Sequence, residues 1–133
     1  MNTEILDRMK RMRMPGMHRA FTTSLENGAA EKFTPDEMVA FLINSEWDDR
    51  QNRTIDRSLR KARFRYKATV EQIDYSEERG IDKNQIHRFA ECSFITKSEN
   101  ILITGPTGTG KSFLSSSLGH QACTVGFKVL YIN

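Results

Sequence analysis

With 133 residues, the chain is long enough for one ordinary domain, or for a small domain plus part of a second. Charged residues make up 28% and the hydrophobic set 38%, a balance that fits a soluble, helix-rich protein. No apolar run approaches the ~20 residues a spanning helix needs, which excludes a helical membrane protein. The first residues place Glu4 and Asp7 around the short apolar pair Ile5-Leu6, without the basic flank and apolar core of a secretory signal, so a cytoplasmic location is expected.

The net charge of +3 is unevenly spread: residues 20–49 sum to −6, residues 50–67 to +7 and residues 68–99 to −3. A basic block between acidic flanks says more than the total.

In chain order, Ile5, Leu6, Met9 and Met12 recur at helical spacing. Met14-Pro15-Gly16-Met17 interrupts the pattern, because proline disfavours a helical residue before it. A second short helix is predicted from about Pro15 to Glu26, ending at Asn27-Gly28. The sharpest helix start follows at Thr34-Pro35-Asp36-Glu37. There Thr34 and Glu37 suit a capping box, proline suits the first turn, and Phe33 is placed to staple onto Met38. No proline or glycine then occurs until Gly80, so one long helix is predicted from about Pro35 to Phe64. Phe41 and Trp47 at helical spacing are expected in the core.

Residues 65–80 read as a connector with a short helical turn at Val70–Ile73. Asp82-Lys83-Asn84-Gln85 suits a second capping box, opening a helix to about Ser93. After residue 98 the character changes. Ile101-Leu102-Ile103 reads as a strand buried on both faces, followed by a glycine-rich loop. A helix from Lys111 to about Val125 with Phe113, Leu114, Leu118 and Ala122 on one side comes next, and then a second strand over 128–132. Cys92 and Cys123 lack CxxC spacing and read as small buried hydrophobes in a reducing cytosol. His120 and Cys123, three residues apart, have no third ligand nearby and do not suggest a metal site.

Gly105-Pro106-Thr107-Gly108-Thr109-Gly110-Lys111-Ser112 matches GxxxxGK[ST] at every fixed position, between a strand-like run and an amphipathic helix. A triphosphate is polyanionic and needs many donors at short range. Without Cβ atoms, Gly108 and Gly110 let the backbone curl so that its N–H groups point inward. The start of the following helix adds unpaired N–H groups and the positive end of its dipole. Lys111 suits the β- and γ-phosphates, and the Ser112 hydroxyl suits Mg²⁺. ATP and Mg²⁺ are therefore the expected ligands. Hydrolysis needs more: an acid at the end of a further strand and an arginine at the γ-phosphate. No acidic residue occurs from Asn100 to Asn133, so no catalytic residue is expected among those present.

Arg50, Arg53, Arg57, Arg60 and Lys61 recur at spacings of three and four, within about a third of a helix circumference, and Arg63 extends the block. Like charges at these spacings repel unless an anion faces them. Two readings stay open: contact with the backbone of DNA, or a face paired with the acids of residues 20–49.

Together these residues resemble the IstB-like transposition helper ATPases, AAA+ partners of insertion-sequence transposases and relatives of bacterial replicative-helicase loaders. The resemblance rests on Arg13-Met14-Pro15-Gly16-Met17, Thr34-Pro35-Asp36-Glu37, Arg60–Phe64 with Lys67-Ala68-Thr69, Ile73-Asp74-Tyr75, and Glu99-Asn100-Ile101 leading into the glycine loop. It implies an α-helical N-terminal domain followed by the start of an α/β P-loop (AAA+) domain, truncated after the second strand. The divisions are 1–67 (helical, engaging DNA or the transposase), 68–98 (connector and helix) and 99–133 (incomplete ATPase). It implies ATP-dependent assembly, with homo-oligomers on DNA, that directs the transposase of the same insertion sequence. Gly105–Ser112 would be the Walker A loop; Walker B acids, sensors and an arginine finger have no counterpart. The resemblance also implies that the two strands are not neighbours in the sheet, so residues 100–133 are expected to be poorly stabilised alone. A helicase-loader-type ATPase and a non-enzymatic DNA-binding or interaction remnant are the alternatives.

Overall fold

The structure, a computed structural model, describes residues 1–76 and 80–132. Residues 77–79 of the predicted connector, and Asn133, lie outside the described residues. The helices are α1 (Asn2–Arg11), α2 (Pro15–Glu26), α3 (Pro35–Ala62), α4 (Lys83–Ala90), α5 (Ser93–Thr96) and α6 (Lys111–Val125), with 3-10 turns at Ala29–Glu31 and Val70–Gln72. None of the described helices is long and apolar enough to cross a membrane. The chain divides into two compact units, Met1–Thr54 and Ile55–Asn133.

In the first unit α1 packs on α2. Helix α1 closes with paired bonds: Met14 N–H donates to the Met9 carbonyl at 2.9 Å and Arg13 N–H to that of Lys10 at 3.0 Å. This Schellman closure puts Arg13 in the left-handed region at φ 58°. Pro15 then occupies the first turn of α2, where its missing N–H removes no bond. A Cβ on Gly16 would lie 2.6 Å from the Ser45 carbonyl oxygen and 2.7 Å from Asp49 Cβ. Glycine is therefore what lets the start of α2 rest on α3. Buried Glu46 completes the joint by accepting from Met17 N–H at 3.1 Å, one of the orphan donors of the first turn of α2. The interrupting Met-Pro-Gly-Met segment is thus a docking element between helices.

Helix α3 starts as predicted, with Thr34 N–H donating to Glu37 Oε2 at 3.3 Å and Glu37 N–H to Thr34 Oγ1 at 3.2 Å. Phe33 stacks on Phe41 with centroids 5.3 Å apart. The core placement of Trp47 fails: it is 65% exposed, and Val39 and Ile43 are exposed beside it. The side of α3 that meets α2 is the polar one carrying Ser45, Glu46 and Asp49. Trp47 lies about 100° round the helix from Glu46. Phe41, expected beside it in the core, keeps 36% exposure.

The second unit holds every buried apolar side chain among the described residues: Ala62, Ala68, Ile73, Ile86, Cys92, Leu118, Ala122 and Cys123. Phe64 packs against α6 where Gly119 leaves room; a Cβ there would meet the ring at 2.5 Å. Tyr131 N–H donates to the Ala62 carbonyl at 2.8 Å. The turn Val70–Gln72 packs on α6 and is closed by a reciprocal Thr69–Gln72 capping box. Asp82 caps α4 through Asn84 N–H at 2.9 Å. Both cysteines are free and buried, as expected, and burial pushes their thiols up from the usual range.

The two predicted strand segments form no ladder among the described residues. Ile101, Ile103 and Val129 line a cavity of about 310 Å³ over Leu118 and Ala122, while Leu102, Leu130 and Ile132 are 90%, 64% and 80% exposed. The alternation has the strand period of two, with one face turned inward rather than both. A strand exists through its pairing, and these two segments line one cavity instead of exchanging backbone hydrogen bonds.

Candidate functional site

The glycine loop and the start of α6 form a pocket of about 660 Å³. Gly105, Gly108 and Gly110 have φ of 159°, 82° and 91°. At Gly108 and Gly110 the left-handed backbone disfavours any side chain, and open space surrounds the position of a Gly108 Cβ. Thr109 Oγ1 donates to the Pro106 carbonyl at 2.7 Å and pins the turn. Gly110 is the N-cap of α6 and makes no side-chain cap bond, so the first-turn N–H groups of Lys111 to Phe113 keep no side-chain acceptor there. Lys111 Nζ donates to the Gly105 carbonyl across the mouth of the loop.

Of the predicted residues, Gly105, Pro106, Gly108, Thr109, Gly110 and Lys111 line this pocket; Thr107 and Ser112 do not. Ser112 is half-buried in the first turn of α6. The pocket also brings in Ile81, Ile103, Thr104 and Leu114. Ile81 was invisible to sequence reasoning because it comes from before α4, far from the motif, and no spacing rule links the two. The donor set suits an anion: backbone N–H groups at a helix start, one mobile ammonium, and room where a Cβ would intrude. No group of three or more His, Cys, Asp or Glu gathers to hold a metal among the described residues. The Ser112 hydroxyl is a hard oxygen ligand of the kind Mg²⁺ takes alongside phosphate oxygens and water.

The basic stripe on α3 divides. Arg50 Nε pairs with Glu46 Oε2 at 2.8 Å. Arg53 reaches Glu46 at 3.5 Å and Asp49 at 2.9 Å. Arg60, Lys61 and Arg63 are exposed and have no carboxylate in ion-pair range among the described residues. Arg57 is exposed as well. Desolvation raises the Glu46 carboxyl, but the Met17 N–H bond and Arg50 outweigh it and hold the group below its ordinary value. Asp49 is also held low, first by its hydrogen bond from Arg19. Both carboxylates are therefore ionised at neutral pH and fix the nearby guanidiniums.

A GxxxxGKS turn at the amino end of a helix defines the P-loop class of nucleotide-phosphate sites. The family described as IstB-like ATP binding protein matches residues 7–133, and the chain belongs to that family. It is 36% identical, over 95% of its length, to a protein of Sinorhizobium fredii (strain NBRC 101917 / NGR234) named as an insertion sequence ATP-binding protein, y4pL, and covers 51% of that relative. The corresponding values are 30%, 93% and 47% for the insertion sequence IS21 ATP-binding protein of Pseudomonas aeruginosa. For that of IS1162 from Pseudomonas fluorescens they are 32%, 99% and 58%. The chain thus spans about half the length of the curated relatives it matches.

Proposed function

We propose that this chain binds ATP through Gly105–Ser112 and serves, in the cytoplasm, as an ATP-binding helper of insertion-sequence transposition that acts with DNA and the transposase of the same element. The observation that carries the reading is the glycine loop itself, which turns through two left-handed glycines into the open start of α6 beside a pocket of about 660 Å³. The loop N–H groups wrap the β-phosphate, and Lys111 exchanges the Gly105 carbonyl for the β- and γ-phosphates. The Ser112 hydroxyl would hold Mg²⁺, which would supply neutralisation of phosphate charge. Ile81, Ile103 and Leu114 offer the apolar wall against which a nucleoside rests.

Arg50, Arg53, Arg57, Arg60, Lys61 and Arg63 supply contacts to DNA phosphates; of these Arg60, Lys61 and Arg63 have no carboxylate in ion-pair range among the described residues. The proposed divisions are 1–67 for DNA or the transposase, 68–98 as connector, and 99–133 as the first part of an α/β P-loop (AAA+) domain that oligomerises. Equilibrium dialysis with Mg-ATP tests the nucleotide claim. The unaltered chain takes up nucleotide, and Lys111→Ala, which removes charge-assisted bonds, weakens uptake at least ~10-fold. Equal uptake by the two proteins would defeat the reading.

A further inference from the structure

The first unit carries a cleft that the α3 stripe does not explain. Its volume is about 410 Å³, and Lys10, Arg13, Pro15, His18, Arg19 and Arg53 line it. Five of these six are basic side chain types, drawn from the end of α1, the turn after it, the start of α2 and the middle of α3. No acid lines the cleft. The acids stand behind it. Asp49 Oδ1 accepts from Arg19 at 2.6 Å and Oδ2 lies 2.9 Å from Arg53 Nε. The side chain of Asp49 keeps 14% exposure, against 69% for Arg19 and 50% for Arg53. A guanidinium has five N–H donors in a fixed fork, so a carboxylate holding it from within orients the remaining donors without using them up. Lys10 and Arg13 are exposed and have no carboxylate in ion-pair range among the described residues.

Arg13 occupies the left-handed closing position of α1, at φ 58°, a conformation that Arg63, Cys92 and Ser98 share; glycine fills such a position without strain and arginine does not. The Arg13 side chain adds a cation to a place where like charges already repel.

We propose that this cleft seats the phosphate backbone of duplex DNA, with Lys10, Arg13 and Arg19 as direct contacts. The proposal rests on the DNA-binding part of the reading above and locates it. Guanidinium forks match phosphate oxygens two at a time. The lining is basic apart from Pro15 and offers no aromatic ring or apolar pocket for a side-chain anchor, which suits a polyanion that presents only phosphates.

The test is fluorescence anisotropy of a labelled duplex of arbitrary sequence with the full chain across a salt series. Thermal melting of each variant and its uptake of Mg-ATP are measured alongside. Arg13→Gly relieves the backbone while deleting a contact, so its DNA affinity falls several-fold while its melting midpoint holds or rises. Its salt slope drops by about 0.9, the share of one phosphate. Lys10→Gln behaves alike in binding, and both retain the Mg-ATP uptake of the unaltered chain. DNA affinity and slope unchanged in both variants would overturn the cleft while leaving DNA binding elsewhere standing. No duplex binding by the unaltered chain at low salt would overturn both readings. Binding of poly-glutamate with the same dependence on Arg13, and none of DNA, would assign the cleft to an acidic protein instead. Loss of affinity only in step with a lowered midpoint in both variants would also overturn it.

Discussion

The two units are held by different chemistry. In Ile55–Asn133 the buried set is mostly apolar and small: alanines, isoleucines, one leucine and two cysteines, with Ser116 and Ser117 of α6 among them. In Met1–Thr54 the buried residues are Gly16, Ser24 and Glu46, and no apolar side chain is fully enclosed among those described. The second unit draws on many interchangeable contacts. The first depends on a few positions that nothing else replaces: a glycine where two helices touch, and a carboxylate that serves a backbone N–H and two arginines at once. Damage should therefore be graded in the second unit and concentrated in the first.

The largest expected contrast lies inside the second unit. No backbone bond from the amides of Ile101, Leu102 or Ile103 forms among the described residues, whereas α6 is a regular helix whose amide bonds begin at Leu114. Hydrogen exchange should find these amides within about tenfold of the open-chain rate, and the interior of α6 slower by about a thousandfold or more. Strong protection of Ile101–Ile103 in the isolated monomer would mean that the segment has found a ladder, and the contrast would collapse.

Gly16→Ala comes next. The added methyl meets the Ser45 carbonyl oxygen and Asp49 Cβ inside contact distance. It should destabilise by about 1–3 kcal/mol in urea unfolding, with no change in Mg-ATP uptake. A neutral Gly16→Ala would show that α2 does not rest on α3 as closely as drawn. Ala122→Gly, a change of one methyl in the second unit's core, should cost about 1–2 kcal/mol, made up of helix propensity and lost packing.

The difference between the units also decides what was legible in the sequence. The glycine loop is made by the backbone, and backbone geometry is dictated by residue type: Gly108 and Gly110 announce left-handed turns wherever they sit. Helix limits were legible for the same local reason. Pro15, Asn27-Gly28, the Thr34–Glu37 box and Gly126 all fall at the observed ends. Charge was legible in part. Pairing with the acids of residues 20–49 was one of two open readings, and Glu46–Arg50 and Asp49–Arg53 are i,i+4 pairs on α3; the reach of Arg19 from α2 to Asp49 needed the fold. Trp47 misled because periodicity reports that a helix has an apolar face but not which face its neighbours cover. The cleft cations come from three helical regions with no shared spacing, so nothing in a linear reading gathers them.

The smallest effect is also the most diagnostic of the first unit. Glu46 and Asp49 are both held below their ordinary values of 4.5 and 3.8. A carboxyl whose folded value is depressed binds its proton more readily when unfolded. Its stabilisation is therefore full above the unfolded value and drains away as pH falls through the folded one. Stability of the first unit should hold from neutral pH down to about pH 5 and then decline. No carboxylate of the second unit is buried among the described residues, so its own decline should be shallower. Glu46→Gln keeps an acceptor for Met17 N–H but gives up the charge that Arg50 and Arg53 meet. It should cost about 1–2 kcal/mol at neutral pH and flatten the acid limb. Residue-resolved melting followed by NMR from pH 7 to pH 3 separates the cases. An acid limb equally steep in both units, and unmoved by Glu46→Gln, would show that the polar joint is not what holds the first unit together.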